Sequence, residues 1–266
     1  MTVSAPTHTA SPLTTVTTVA ARTILKILRT PQIVGIAIVQ SIVFLLMFRY
    51  VFGGAIGVTG VAYVDFLVPG FVVSGLLFTA GGSSVAVAED AASGIYDRFR
   101  SLPISDSAVL IGRSIADAAL MVIVALVTLG VGFIVGFSVS GTAADFLLAI
   151  GLLVVYALGF AGIFVWLGLV SGSAQAAQGL SILAVPFSFV SSAFVPINTM
   201  PDVLQAFAEW QPLTFMVNSW RGLLLGDAAT ATFDHSLEFY IFGSLIWAAG
   251  LTVAIAPLAL RAYRKR

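Results

Sequence analysis

The chain has 266 residues, of which 59% are hydrophobic and only 9% charged, with a mean hydropathy of +1.06. A soluble domain is about one quarter charged, so the polar side chains are too few to cover a water-exposed surface, and a soluble enzyme and a disordered chain are both excluded. Twelve basic residues balance twelve acidic ones, which removes the net positive field that would draw the chain to nucleic acid.

Such a composition predicts an all-α membrane protein with lipid as much of its solvent. Residues 1–14 are small and polar, with neither a basic start nor an apolar run, and read as a disordered cytoplasmic tail rather than a signal peptide. From 15 to 30, Val16, Val19, Ile24 and Ile27 recur at helical spacing while Arg22, Lys26 and Arg29 fall on another face. This is the pattern of an amphipathic helix lying in the membrane interface. The first transmembrane helix is predicted over 32–52 and the second over 65–88, joined by the turn 53–60. The third is predicted over 108–137, the fourth over 145–170, and the sixth over 237–258. No charge occurs in the 56 residues between Asp145 and Asp202, which leaves room for a fifth span over 176–195, kinked at Pro186. Residues 31–260 thus form one transmembrane domain of six helices, and 261–266 a basic end.

Six spans place both termini on one side, and the basic residues say which. With the termini cytoplasmic, Arg22, Lys26, Arg29, Arg98, Arg100, Arg113, Arg261, Arg264, Lys265 and Arg266 lie inside, against only Arg49 and Arg221 outside. The outer segments carry acids instead: Asp65, Asp145, Asp202, Glu209, Asp227, Asp234 and Glu238.

Catalytic chemistry finds no foothold. There is no cysteine, and the two histidines, His8 and His235, are far apart, so neither thiolate nor metal chemistry is expected. Neither lysine, Lys26 or Lys265, follows a glycine-rich loop, so ATP is not bound in the P-loop manner. Asp117 is the one acid well inside a predicted span, a position that marks a proton relay unless the charge is paired. Arg113, four residues earlier, offers that pairing.

The segment 89–105 carries most information. Ile95, Tyr96, Phe99 and Leu102 recur at three- and four-residue spacing, Asp97, Arg98 and Arg100 face elsewhere, and Pro103 stops the helix. Such a helix either docks its apolar face in a partner's groove or lays it on the membrane surface.

This segment resembles the cytoplasmic coupling segment of ABC type-2 exporter permeases, in particular their daunorubicin-resistance branch. The matching residues are Glu89, Gly94, Asp97, Arg98, Phe99, Arg100, Leu102 and Pro103, followed by Gly112 and Arg113. A second match covers 194–226, with Pro196, Met200, Pro201, Trp210, Pro212, Arg221 and Gly222. There the apolar stretches 203–210 and 213–225 are too short to span, and the resemblance implies short re-entrant helices near the outer mouth, within an outer segment 196–227. Arg221 is expected to make an ion pair there or to snorkel to the membrane edge.

The resemblance further implies a non-catalytic membrane subunit of an exporter. Two copies of a cytoplasmic ATPase would bring ATP and Mg and dock on residues 94–103, leaving no cofactor on this chain. A second permease subunit, identical or related, would complete the pathway. Membrane lipid is the remaining partner, and nucleic acid is not one. The cargo implied is an amphiphilic drug or a lipid-like molecule moved out across the plasma membrane. A cell-envelope glycolipid or polysaccharide is an alternative cargo. A proton-coupled drug transporter using Asp117 and a non-transporting scaffold are rivals of other classes.

Overall fold

The computed structural model describes residues 11–54 and 60–265. Most of the expected tail and the core of the 53–60 turn lie outside the described residues. All regular structure among the described residues is helical. Five helices are long and apolar enough to cross a membrane: Val34–Phe52, Tyr63–Ala92, Asp106–Ile134, Ala143–Val170 and Leu237–Lys265.

The first helix, α1 (Pro12–Leu28), begins within the stretch expected as tail. Pro12 stands in its first turn, where a fixed φ and a missing N–H cost nothing. Its seating also differs from the expectation. Thr15, Val19, Ala20 and Thr23 are buried, while Leu13, Leu25 and Leu28 point outward. Small residues let α1 lie close on the helix below, where a Cβ at Gly112 would stand 2.6 Å from the Val16 carbonyl oxygen.

Helix α2 (Pro31–Met47) continues as a π-helical turn to Phe52 and is the expected first span. It is exposed along most of its length, so lipid or another subunit faces it. Helix α3 (Tyr63–Ala92) is the buried centre of the molecule, with 22 of its 30 residues buried. It packs against α5 (Asp106–Ile134) and α6 (Ala143–Val170), the expected third and fourth spans. Between α3 and α5 hangs the short helix α4 (Ile95–Arg100). The last helix, α12 (Leu237–Lys265), packs along α6. Its 29 residues rise about 43 Å, beyond the roughly 30 Å hydrocarbon core, so the basic end is a helical extension rather than a loose tail.

The expected fifth span is not one helix. It comprises α7 (Ala174–Ser181) and α8 (Ala184–Phe189), broken at Ile182–Leu183 and followed by a turn through Ala193. The whole stretch runs antiparallel along α3. Ser181 bonds Ser84 at 2.6 Å near one end of that helix, and Ala193 abuts Gly70 near the other. Gly70 and Ser84 are fourteen residues apart, about 20 Å of helical rise.

The outer segment holds α9 (Asp202–Trp210), α10 (Pro212–Leu225) and α11 (Asp227–Thr230). The two short apolar stretches are therefore helices, as expected, but they differ in setting. Every residue of α10 is buried, against α3, α6 and α12. By contrast α9 turns Val203, Phe207 and Trp210 outward, as an interfacial helix does.

The close approach at Gly70 has a measurable consequence. A Cβ there would overlap the Ala193 carbonyl and stand 2.9 Å from its Cα. Gly70→Ala should destabilise the fold by about 1–3 kcal/mol, the usual cost of overpacking. Gly162→Ala, with open space around its Cβ, should be neutral. Thermal unfolding of the two variants in detergent measures the difference.

Candidate functional site

Charged groups gather at one end of the bundle, where α1, the end of α3, α4, the start of α5 and the end of α12 meet. Arg113 of α5 is the hub. Its Nε donates to Asp117 Oδ2 at 2.8 Å, and its Nη1 to Asp90 Oδ2 at 2.8 Å. Its Nη2 reaches the Ser83 carbonyl at 3.4 Å. The other carboxylate oxygen of Asp90 accepts from Lys26 Nζ of α1 at 2.8 Å. Two cations and two anions thus close on each other and join three helices. Arg113, Asp90 and Asp117 are buried, and Lys26 alone is half-exposed at 46%. The anticipated Arg113–Asp117 pair is formed, so Asp117 is a paired structural charge.

The chain reaches α4 through Gly94, whose φ of +73° is the left-handed turn that glycine takes without strain. Helix α4 has the apolar face that the periodicity implies, but this face turns onto the bundle rather than outward. Tyr96 is buried, with its ring 5.4 Å from that of Tyr263 on α12; burial pushes its hydroxyl pKa well up. Phe99 and Ile95 are half-buried, and the Arg22 guanidinium of α1 lies 5.6 Å from the Phe99 ring. Arg100 pairs with Asp97 and leans toward the Tyr263 and Arg264 carbonyls. The reason is that the apolar side chains seal the helix onto the bundle. What remains for solvent is Asp97, Arg98, Leu102 and Pro103, with Leu102 51% exposed. Glu89 is exposed on the neighbouring turn of α3.

The opposite end is built around Arg221 of α10, which is buried at 2% exposure. No carboxylate pairs with it among the described residues, so the expected ion pair is not formed, and neither does the side chain snorkel. Its guanidinium instead donates to the Phe66 carbonyl from Nε and Nη2 at 3.2 and 2.9 Å. Nη2 also reaches the Ser192 carbonyl at 2.9 Å, and Nη1 the Asn218 Oδ1 at 3.2 Å. The ring of Phe66 lies 3.7 Å beneath it. Carbonyl dipoles and an aromatic face disperse the charge where an acid was expected. Gly222 lets α10 close on α12, since a Cβ there would meet Leu237 at 2.5 Å. Pro212 opens α10, Trp210 is exposed on α9, and Pro196, Met200 and Pro201 bound the short turn before α9. A cavity of about 340 Å³ lies against Arg221 and Asn218, walled by Phe215, Phe239 and Tyr240.

This chain of long apolar helices matches a known family in sequence. Residues 14–225 fit the model of the family described as ABC-2 type transporter. The chain belongs to the ABC-2 type transporter family. It is 30% identical over 230 residues to a daunorubicin-resistance ABC transporter permease, DrrB1, of Streptomyces coeruleorubidus, covering 86% of this chain and 78% of that protein. It is 27% identical over 235 residues to a protein described as a doxorubicin-resistance ABC transporter permease, DrrC, of Mycobacterium tuberculosis, covering 86% of this chain and 80% of that one. An ABC-2 domain is a multi-pass membrane unit that performs no catalysis of its own and works, in general, as a dimer with an ABC ATPase.

Within this ABC-2 domain, sequence reasoning named Glu89 and missed Asp90. A carboxylate is assigned to solvent or to the interior only by its angle on the helix, and the two neighbours differ by one hundred degrees. Arg113 was the available clue, because a buried arginine with several donors needs more than the one acid at i+4. Lys26, Asn218 and the Tyr156–Ser219–Ser244 hydroxyl set, bonded at 2.7 Å, were likewise unassigned.

Removing the hub leaves buried anions in excess. Arg113→Leu should cost about 3–5 kcal/mol, the range for breaking a buried ion pair from one side. Arg113→Lys should recover only part of this, because one ammonium cannot span the acceptors that the fork reaches. The midpoints of thermal unfolding in detergent, measured for both variants, test the ranking.

Proposed function

We propose that this chain is the membrane subunit of an ATP-driven exporter that moves an amphiphilic molecule out across the plasma membrane. The observation that carries the reading is α4. It is a rigid, protein-anchored helix at the basic end of the bundle, with Arg98, Leu102 and Pro103 turned outward. A soluble partner would grip this edge, not the Tyr96 face, and move α3 and α5 through it.

Orientation and span number follow from the same reading. The positive-inside rule places the α1 and α4 end in the cytoplasm. The broken α7–α8 stretch serves as the fifth of six crossings, which its 20 Å course along α3 supports. Both termini are then cytoplasmic, and α9 and α10 lie at the outer mouth. Two copies of the ATPase carry ATP and Mg, and a second permease subunit completes the pathway.

The drug-resistance names of the relatives favour an amphiphilic drug as cargo. A lipid-like cargo is the second reading, favoured by a cavity of about 510 Å³ between Leu77, Phe78 and Leu120 near the Arg113 cluster. Proton coupling through Asp117 loses its motive, because that carboxylate is spent on Arg113.

Two measurements test the proposal. The pair Arg98→Glu with Leu102→Asp should abolish co-purification of the ATPase while leaving membrane insertion and unfolding temperature unchanged; undiminished association would refute the coupling role. Asp117→Asn should keep most ATP-dependent export. Export that needs no ATPase and collapses with a protonophore would transfer the chain to the proton-driven class.

A further inference from the structure

A cavity of about 510 Å³ lies in the half of the bundle nearest the ion cluster. Its walls are Ile36, Leu77, Phe78, Leu120, Ile182 and Val185, and its charged end holds Lys26, Arg113 and Asp117. Along α3 it extends from Leu77 to Ala86. Nine residues rise about 14 Å, close to half of the roughly 30 Å hydrocarbon thickness. The cavity is thus as deep as one leaflet, mainly apolar but with Gln40 and Thr79 among the side chains of its deep end, and charged toward the surface. It opens sideways, since Ile36 and Ile182 are largely exposed.

The sign of the accessible charge is positive. Arg113 and Asp117 are buried and bonded to each other, and Asp90 is saturated by Arg113 and Lys26. Lys26 spends one ammonium proton on Asp90 and is half-exposed, which leaves two protons for a ligand. Arg29, which caps the end of α1 three residues later, is a second exposed cation of the same segment.

We infer that this cavity holds one anionic phospholipid of the inner leaflet, its phosphate on Lys26 and an acyl chain along α3. The inference rests on the orientation argued above, which puts Lys26 at the cytoplasmic surface. It does not depend on ATPase docking.

The test uses the purified chain in detergent with equimolar phosphatidylglycerol and phosphatidylcholine, counting retained lipids by native mass spectrometry. The wild type should retain phosphatidylglycerol in preference. Lys26→Gln should cut that preference at least threefold, and Lys26→Arg should keep it. Gly82 lines the cavity with no atom within 4 Å of a Cβ position, so Gly82→Leu starts its side chain in open space at the cavity wall and favours the helix. It should lower retention of phosphatidylglycerol to the level of Lys26→Gln. Equal retention in wild type and Lys26→Gln overturns the inference. So does a loss with Lys26→Gln that Gly82→Leu does not reproduce, because the lipid would then sit on the outer face of α1. An Arg98→Glu, Leu102→Asp chain that loses its ATPase yet keeps the lipid preference would separate this site from the coupling role.

Discussion

One buried guanidinium, that of Arg113, organises the inner end of the molecule. An isolated charge in a low-dielectric interior is too costly to persist unless paired and hydrogen-bonded. Arg113 meets that condition only when α3 and α5 are in place, and the remaining oxygen of Asp90 is satisfied only when α1 brings Lys26. The cluster therefore does more than neutralise charge. It fixes the register of α3 against α5 and clamps an interfacial helix onto both. The shape of α4 follows, since α4 leaves α3 four residues after Asp90 through the Gly94 turn.

The outer end solves the same problem without an acid. Arg221 draws its compensation from the Phe66 and Ser192 carbonyls, the Asn218 side chain and the Phe66 ring. The Ser192 carbonyl belongs to a turn, and the Phe66 carbonyl to the N-terminal turn of α3. The chain turns at Ser192 after the broken α7–α8 stretch, and Phe66 stands in the first turns of α3 just before Pro69. A carboxylate in their place would add a second charge to desolvate. Dipoles bonded to a fixed cation also give an anchor whose strength does not depend on a second titrating group. The two ends thus share α3 but differ in kind: a salt-bridge cluster with a half-exposed lysine inside, a sealed carbonyl cage outside.

Much of this was legible in the sequence, and the failures have physical causes. Long apolar runs reported α2, α3, α5, α6 and α12, because burial in lipid leaves composition as the dominant signal. Run length could not report the break at Ile182–Leu183, since a broken helix packed on α3 is as apolar as a straight one. The kink was assigned to Pro186, which α8 accommodates in its first turn, where no intrahelical N–H is lost. For α4 the period was right and the direction wrong: a three-to-four spacing shows that a face exists, not whether a partner or the same chain covers it. Tyr263, 167 positions away from Tyr96, covers it here. For Arg221 the rule that buried charges seek opposite charges was applied too narrowly, and a turn carbonyl leaves no trace in residue identity.

These features locate where movement can enter the structure. Arg221 and its cage offer no exchangeable partner, so the outer hairpin is carried with the start of α3. At the inner end, the bond between Lys26 and Asp90 is the one link of the cluster that water reaches. A negative group arriving at Lys26 competes with Asp90 for the same ammonium, and a push on α4 shifts Asp90 itself. Both acts alter one contact, and α3 runs as one helix, with Pro69 inside it, from Asp90 to Phe66, whose carbonyl Arg221 holds. If the cavity is occupied and α4 docks a partner as proposed, the two are coupled through the single carboxylate of Asp90, with α3 as the element that reaches from it to Arg221.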